Sequence, residues 1–431
     1  MIPGFDLALL DQIVDRSIEL LVSTHSQTTS NGGGWYHRLD DPTPGPSATA
    51  VALETLVRCD AQSSLLGAGL QFLRSRQLVS TDPLCNGGWA VNTSFGHPLL
   101  EATAVVTRFL GYAKVQCLDS SPDLGQAVDW ILANQDGSGG WGSFLGQPPR
   151  TWLTCLALQA LHEASPFDPA INRGVDWLVR QRSRSAPAAW GESRLSEPTV
   201  VHTSYCLLML RQLTSARTDR QHVEAVEHGF RWLTGHLNST SIFDEASRVE
   251  SYNITGNVDG RDVTWHGQVW HHGMPFALSA LLRHPGGVPP VTAAVLKTVM
   301  DSQLPDGHWP NIDSASGRSI WDVYPFVLSV MDARTVPFHR PGSRIDWLSD
   351  DAVVVRQGTT KNTPLARLGW SSRRDQLVTL AKRHWATFLL IACVAGSLVL
   401  WRLGVIEPKD IALSLVLPLV LLLVQETRRL R

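Results

Sequence analysis

Two hydrophobic patterns alternate along most of the chain. Ala127-Val128-Asp129-Trp130-Ile131-Leu132 and Gly174-Val175-Asp176-Trp177-Leu178-Val179 place apolar residues with the period of a helix that buries one face. Thr103 to Leu110, Thr154 to Leu161 and Thr203 to Leu210 are more uniformly apolar, as in a helix buried on most sides. Between the two kinds lies a turn of small residues ending in Trp: Gly32-Gly33-Gly34-Trp35, Gly87-Gly88-Trp89, Gly139-Gly140-Trp141, Ala188-Ala189-Trp190 and Gly307-His308-Trp309. The first four recur about every 50 residues, and a Gln stands before most turns, at Gln27, Gln77, Gln135, Gln181 and Gln303. A period of roughly 20 to 50 residues marks stacked units, none of which can bury its apolar face alone. The predicted unit is a pair of helices, polar-faced outside and apolar inside.

Composition agrees with a large packed body. The 431 residues are 43% hydrophobic with a net charge of -2, so nothing reads as disordered, and no basic stripe supports a nucleic-acid partner. The 16 Trp against five Tyr belong to the repeat. Met1 to Arg16 has no cationic start followed by an apolar run, and the six Cys have no paired short spacing, so neither export nor a disulfide framework is expected.

The pattern of Gln, a short gap, Gly and Trp resembles the repeat of squalene-hopene cyclases and protein prenyltransferase β subunits over roughly residues 20 to 335. That resemblance implies an all-α fold, an α/α toroid of about six inner and six outer helices over residues 1–335. The inner helices are expected to begin near 47, 99, 150, 199, 273 and 321. In such repeats the Gln caps a helix end and the indole stacks beside it, a structural role.

Aligning the inner helices on their Thr-and-Leu pattern, with Thr49, Thr103, Thr154 and Thr203 in the first four and Met274 and Tyr324 at that place in the last two, puts Ser47, Glu101, Trp152, Val201, His272 and Asp322 at equivalent positions, two residues earlier. If all inner helices start at one end, Glu101, His272 and Asp322 converge on one mouth of the cavity and are the candidate catalytic groups. Burial would raise a carboxyl's pKa there and suit it to general-acid work, while the helix N-terminus opposes this. Leu99-Leu100-Glu101-Ala102-Thr103-Ala104 resembles the Asp-x-Asp-Asp-Thr-Ala acid motif of the cyclases, with Leu99 and Ala102 replacing the flanking Asp residues. Trp152, His202, Tyr205, Trp270, Trp321 and Tyr324 are the candidate substrate-binding side chains.

The prenyltransferase branch holds zinc with an Asp and a Cys two apart and a distant His. Here His202-Thr203-Ser204-Tyr205-Cys206 resembles the His-bearing segment, but Trp152 and Thr154 occupy the Asp and Cys positions. No metal or other cofactor is therefore expected. An insertion of about 35 residues between His236 and Gly273 breaks the rhythm, and loops of that length are often lids or binding loops. Its His266, His271 and His272, with Asp259 and Asp262, are an alternative metal cluster without a diagnostic spacing.

Past Arg334 the repeat gives way to a linker, 336–383, and then to a predicted transmembrane hairpin, 384–431. Ala386 to Leu400 and Ile411 to Val424 are apolar, and cations such as Arg373, Arg374, Arg428 and Arg429 lie outside the pair. The positive-inside rule then places the toroid and both termini in the cytoplasm of a multi-pass membrane protein.

Two functional classes follow. One is a membrane-tethered terpenoid cyclase-like enzyme that takes an isoprenoid or related lipid into the cavity, with Glu101 starting cyclisation by protonation. The other is a catalytically inactive toroid that senses a ligand or protein partner at the membrane. A third, a glycan-processing toroid, would set Glu101 and Asp322 facing each other across an open polar cleft.

Overall fold

The computed structural model describes residues 6–26, 33–37, 43–61, 64–91, 97–115, 122–186, 188–213, 219–239, 247–258, 261–310 and 319–335, with backbone alone for 114–115, 247, 254–258, 261–263 and 265. The linker and membrane hairpin expected over 336–431 lie outside these residues. Among the described residues no helix is long and apolar enough to cross a membrane.

Helices α2 (Pro46–Arg58), α4 (Leu100–Val115), α6 (Thr151–Ala164), α8 (Val200–Leu213), α10 (Gly273–Leu282) and α12 (Tyr324–Thr335) each pack on the next, and α12 packs back on α2. This is a closed inner ring. Each is paired with an outer helix: α3 (Leu65–Arg76), α5 (Leu124–Ala133), α7 (Pro169–Arg180), α9 (Arg220–Ser239) and α11 (Val291–Asp301) pack on the inner helix before them, and α1 (Leu7–Ser23) on α12. The fold is an α/α toroid, with inner helices starting close to the positions expected.

The repeat tryptophans are fully buried. Each indole N–H donates to a carbonyl near the C-terminal end of the preceding outer helix: Trp35 to Leu21 (2.6 Å), Trp89 to Leu73 (2.8 Å), Trp141 to Ile131 (2.8 Å), Trp190 to Leu178 (2.8 Å) and Trp309 to Val299 (2.7 Å). The carbonyls of a last helical turn have no N–H four residues on within the helix, so the indole acts as a helix cap as well as a packing element, joined at Ile131 and Leu178 by the N–H of Asn134 and Gln181. The backbone N–H of Trp35, Trp89, Trp141 and Trp190 donates in turn to Thr49, Thr103, Thr154 and Thr203 on the following inner helix, at 3.0 to 3.2 Å.

The glutamines join one unit to the next. Gln77 donates to the carbonyls of Gly87 (2.9 Å) and Asp123 (2.8 Å), and the Asp123 N–H donates back to its Oε1 (2.8 Å). Gln303 reaches the Ile13 carbonyl (2.9 Å) and so ties the last unit to α1. The turn itself needs its glycines. Gly87 has a φ of +87°, and a Cβ on Gly88 would approach Thr103 Oγ1 to 2.9 Å.

Two features depart from the sequence expectations. The fold is not wholly helical: the insertion forms an antiparallel hairpin, β1 (Ser247–Val258) and β2 (Arg261–His272), with Glu250 opposite Val269 and Tyr252 opposite Gly267. Alternating residues flank Asp259-Gly260 here, the dipeptide favoured in two-residue hairpin connections, so local chemistry selects strands where insertion length suggested an irregular loop. Second, the inner ring carries a buried charge network. Glu54 accepts from Arg58 (2.9 Å) and Arg108 (2.9 Å), and Arg108 also donates to Gln159 (2.9 Å).

Burial alone would raise the Glu54 pKa, but the two guanidiniums outweigh it and hold the carboxyl below its usual value. Its ionisation therefore stabilises the fold above the unfolded-state pKa, and that contribution disappears as pH falls through the lowered folded-state value. Glu54→Ala, which strands Arg108, should cost about 3–5 kcal/mol at neutral pH, with the gap to wild type narrowing in acid. Denaturant unfolding of both proteins across pH checks this.

Candidate functional site

Because an outer helix returns the chain between successive inner helices, the inner helices run parallel and their N-termini meet at one mouth. There they enclose a cavity of about 330 Å³. Of the six register positions, Ser47, Glu101, Trp152, His272 and Asp322 line it, whereas Val201 is buried outside its lining. Tyr205, Trp270, Trp321 and Tyr324 line it too, with Tyr252 and Phe276, making a wall rich in aromatic rings that also carries Arg108, Gln159 and Gln268. His202, grouped with the substrate-binding residues on sequence, is not in the lining. It is fully buried, with its imidazole turned to Glu250.

Glu101 stands in the first turn of α4. Its Oε1 accepts from Ser143 Oγ (2.6 Å) and Tyr252 OH (2.8 Å), while its Oε2 is buried with no hydrogen-bond partner. Burial raises the carboxyl's pKa, and the hydrogen bonds from Ser143 and Tyr252 and the Arg150 charge offset this only in part. Desolvation thus prevails over the helix N-terminus, and the proton is retained to higher pH than on an exposed glutamate. Gly267 faces Tyr252 across the hairpin, where a Cβ would come within 3.0 Å of the phenol ring, so glycine leaves the ring room to reach Glu101.

His272 and Asp322 form a separate buried pair. His272, the N-cap of α10, places Nε2 2.7 Å from Asp322 Oδ1. Asp322 sits in a 3-10 turn, Ile320–Asp322, and its Oδ2 accepts the Ser319 N–H (3.1 Å) in a capping box. Both carboxylate oxygens are thus engaged, and the imidazole is held against the cavity wall.

A third cluster involves residues that the sequence did not bring together. Glu250 Oε2 lies 3.0 Å from His202 Nε2 and 3.2 Å from His271 Nε2, and its Oε1 accepts from Arg150. Burial lowers the His271 pKa to about 4, although Glu250 opposes this, so the ring is neutral near pH 7. These three side chains are the ones among the described residues that could hold a metal ion. The alternative cluster of His266, His271 and His272 on the insertion does not form among the described residues. His266 bonds to Asn253 (2.6 Å) and His272 to Asp322, Asp259 lies outside the described residues, and so does the side chain of Asp262.

Sequence reasoning missed Ser143, Tyr252 and Glu250. Ser143 follows a repeat Trp by two residues with nothing else to distinguish it. Glu250 and Tyr252 carried one usable signal, their shared face in the alternation of β1.

No family model matches the chain. A 183-residue stretch is 28% identical to a squalene–hopene cyclase from Bradyrhizobium diazoefficiens, a match covering 39% of this chain and 26% of that protein, about a quarter of the relative's length. Among solved structures, a type II terpene cyclase from Scytonema aligns with a TM-score of 0.50 at 14% identity, over 76% of this chain and 97% of its own. An unsaturated glucuronyl hydrolase specific for heparin aligns with the same TM-score at 12% identity, over 75% and 96%. These likenesses are of fold: the chain has a terpene cyclase-like helical toroid, and that toroid also serves a glycan hydrolase, so chemistry must be argued from the site.

Tyr252→Phe removes a hydrogen bond that favours ionised Glu101, so the Glu101 pKa should rise further. Carboxyl carbon chemical shifts followed against pH, with Glu101→Gln identifying the resonance, should show the titration displaced upward.

Proposed function

We propose that the toroid binds an isoprenoid or related hydrophobic molecule in this cavity and that Glu101 protonates it to start cyclisation. The observation that carries this reading is the buried, unpartnered Oε2 of Glu101 in an aromatic cavity. An ionised carboxylate with a bare oxygen in apolar surroundings is costly, so the acid form is favoured and its O–H is free to donate to a bound alkene.

In the proposed step the Glu101 proton adds to one alkene carbon, leaving a carbocation at its neighbour and a carboxylate on the protein. Ser143 and Tyr252 already donate to that carboxylate, which limits the cost of its charge. The cation is attacked by a further double bond of the same molecule to close a ring, and the negative faces of the surrounding aromatic rings stabilise it. Loss of a proton from carbon ends the sequence. His272, oriented by Asp322, is the base assigned to take it and passes it to solvent, while Glu101 regains a proton from solvent, so the reaction is an isomerisation overall.

The indole N–H groups of Trp152 and Trp270 are also buried without acceptors. Unsatisfied donors in the wall favour a ligand that carries oxygen over a pure hydrocarbon. A glycan-processing site is less well supported, because both Asp322 oxygens are engaged and the wall is aromatic. As part of the same proposal, residues 384–431 tether the toroid to the cytoplasmic face of a membrane, from which a lipid substrate would be drawn.

The test is mass spectrometry of organic extracts after incubating wild type and Glu101→Gln with polyprenyl diphosphates and squalene. Cyclised product is expected from wild type, with a loss of about 10²- to 10⁴-fold or more in the variant. Because the acid form is required, wild-type turnover should fall as pH rises through the raised Glu101 pKa. Intact ligand or none from both proteins would overturn the chemistry and favour a binding toroid.

A further inference from the structure

We infer that His202, Glu250 and His271 form a binding site for a zinc-type divalent ion, which clamps the β1–β2 hairpin to the N-terminal turn of α8. The three side chains are 0%, 0% and 2% exposed, whereas neighbouring Ser251, Asn253, His266 and Gln268 of the same hairpin are exposed. A two-stranded hairpin is marginal by itself in water and needs an attachment. Glu250 and His271 share one face of it, on diagonally adjacent cross-strand positions, and Glu250 Oε2 links His271 to His202.

The geometry is that of converging ligands. Both imidazole Nε2 atoms approach the same carboxylate oxygen, and the three ligand atoms all lie within 4.8 Å of one another. Zinc binds nitrogen and carboxylate oxygen at about 2.0–2.2 Å, which in tetrahedral geometry separates ligands by about 3.4 Å. The observed 3.0 and 3.2 Å need to open by only a few tenths of an ångström, and the two imidazole nitrogens, within 4.8 Å of each other, adjust to the same separation by small ring rotations. Two imidazoles and one carboxylate suit zinc or another late first-row ion better than magnesium or calcium.

The outer atoms of all three ligands are held as well, as is usual around bound metals. His202 Nδ1 lies 2.7 Å from Thr199 Oγ1, His271 Nδ1 lies 3.4 Å from Tyr205 OH, and Glu250 Oε1 is taken by Arg150, leaving Oε2 for the ion. A hydroxyl can accept or donate, so each imidazole can carry its proton on Nδ1 and turn the Nε2 lone pair to the ion. The ligand set is not the Asp, Cys and His of the prenyltransferase resemblance, whose first two positions are Trp152 and Thr154 here, since two of its members come from the inserted hairpin.

The experiment uses the full chain, stripped with chelator and reloaded with Zn²⁺ or Co²⁺ at micromolar free ion. One equivalent of Zn²⁺ by elemental analysis, a visible Co²⁺ spectrum of low coordination number and a higher Tm with Zn²⁺ are expected. His271→Ala and Glu250→Gln should each weaken Zn²⁺ binding at least 100-fold, while His266→Ala on the exposed part of the hairpin should leave it unchanged. Absence of stoichiometric ion in the reloaded wild type overturns the inference without relying on any variant's folding. So does binding that survives both ligand substitutions in folded protein. No substrate enters these measurements, so their failure is distinct from failure of the proposed cyclisation.

Discussion

The two hydrogen bonds made by each of four repeat tryptophans organise this toroid. The indole caps the preceding outer helix, and the backbone N–H takes a threonine hydroxyl from the inner helix that follows. One residue therefore fixes both the end of one helix and the start of the next. A buried donor left unpaired costs more than a bond gained on the surface, so the junction has little freedom to slip. Gln77, Gln135 and Gln303 then extend each junction to the next unit, and through Ile13 the ring closes on its first helix.

The threonine that receives the tryptophan N–H lies two residues beyond the position that faces the cavity. Structural repetition thus becomes a functional register: once Thr103 is held by Trp89, Glu101 is held at the mouth. The aromatic wall follows from the same geometry, because positions equivalent in sequence become neighbours in space. The hairpin breaks the symmetry. It enters at the unit where Val201 leaves the lining and contributes Tyr252, Trp270 and His271 to the wall instead.

Opposing electrostatic effects divide the ionisable groups by environment. Glu54 and Glu250 are as deeply buried as Glu101, yet positive or hydrogen-bond-donating partners hold both below the ordinary glutamate value. At Glu101 the two hydroxyl donors meet a single oxygen, and with its own backbone N–H and the Arg150 charge they do not outweigh burial, so its pKa goes up. Number and charge of partners, rather than depth, separate the structural carboxylates from the candidate acid.

The sequence alone determined the toroid, the number and starts of its inner helices, and the register that brings Glu101, Trp152, His272 and Asp322 to one cavity. It could do so because helical period, Gly-Trp turns and a recurring Thr are local and repeated, and each repeat corroborates the others. The tertiary structure decided what those residues meet. Ser143 and Tyr252 reach Glu101 from 42 and 151 residues away, and Glu250 draws together His202 and His271 over 48 and 21. Where Leu99 and Ala102 flank Glu101 in the chain, its hydrogen bonds come from the hydroxyls of Ser143 and Tyr252. His202, placed on sequence among the substrate-binding residues, turns instead to Glu250. Such partners leave no periodic trace, because they depend on how a single inserted hairpin lies across the mouth, and that is set by packing rather than by any local pattern.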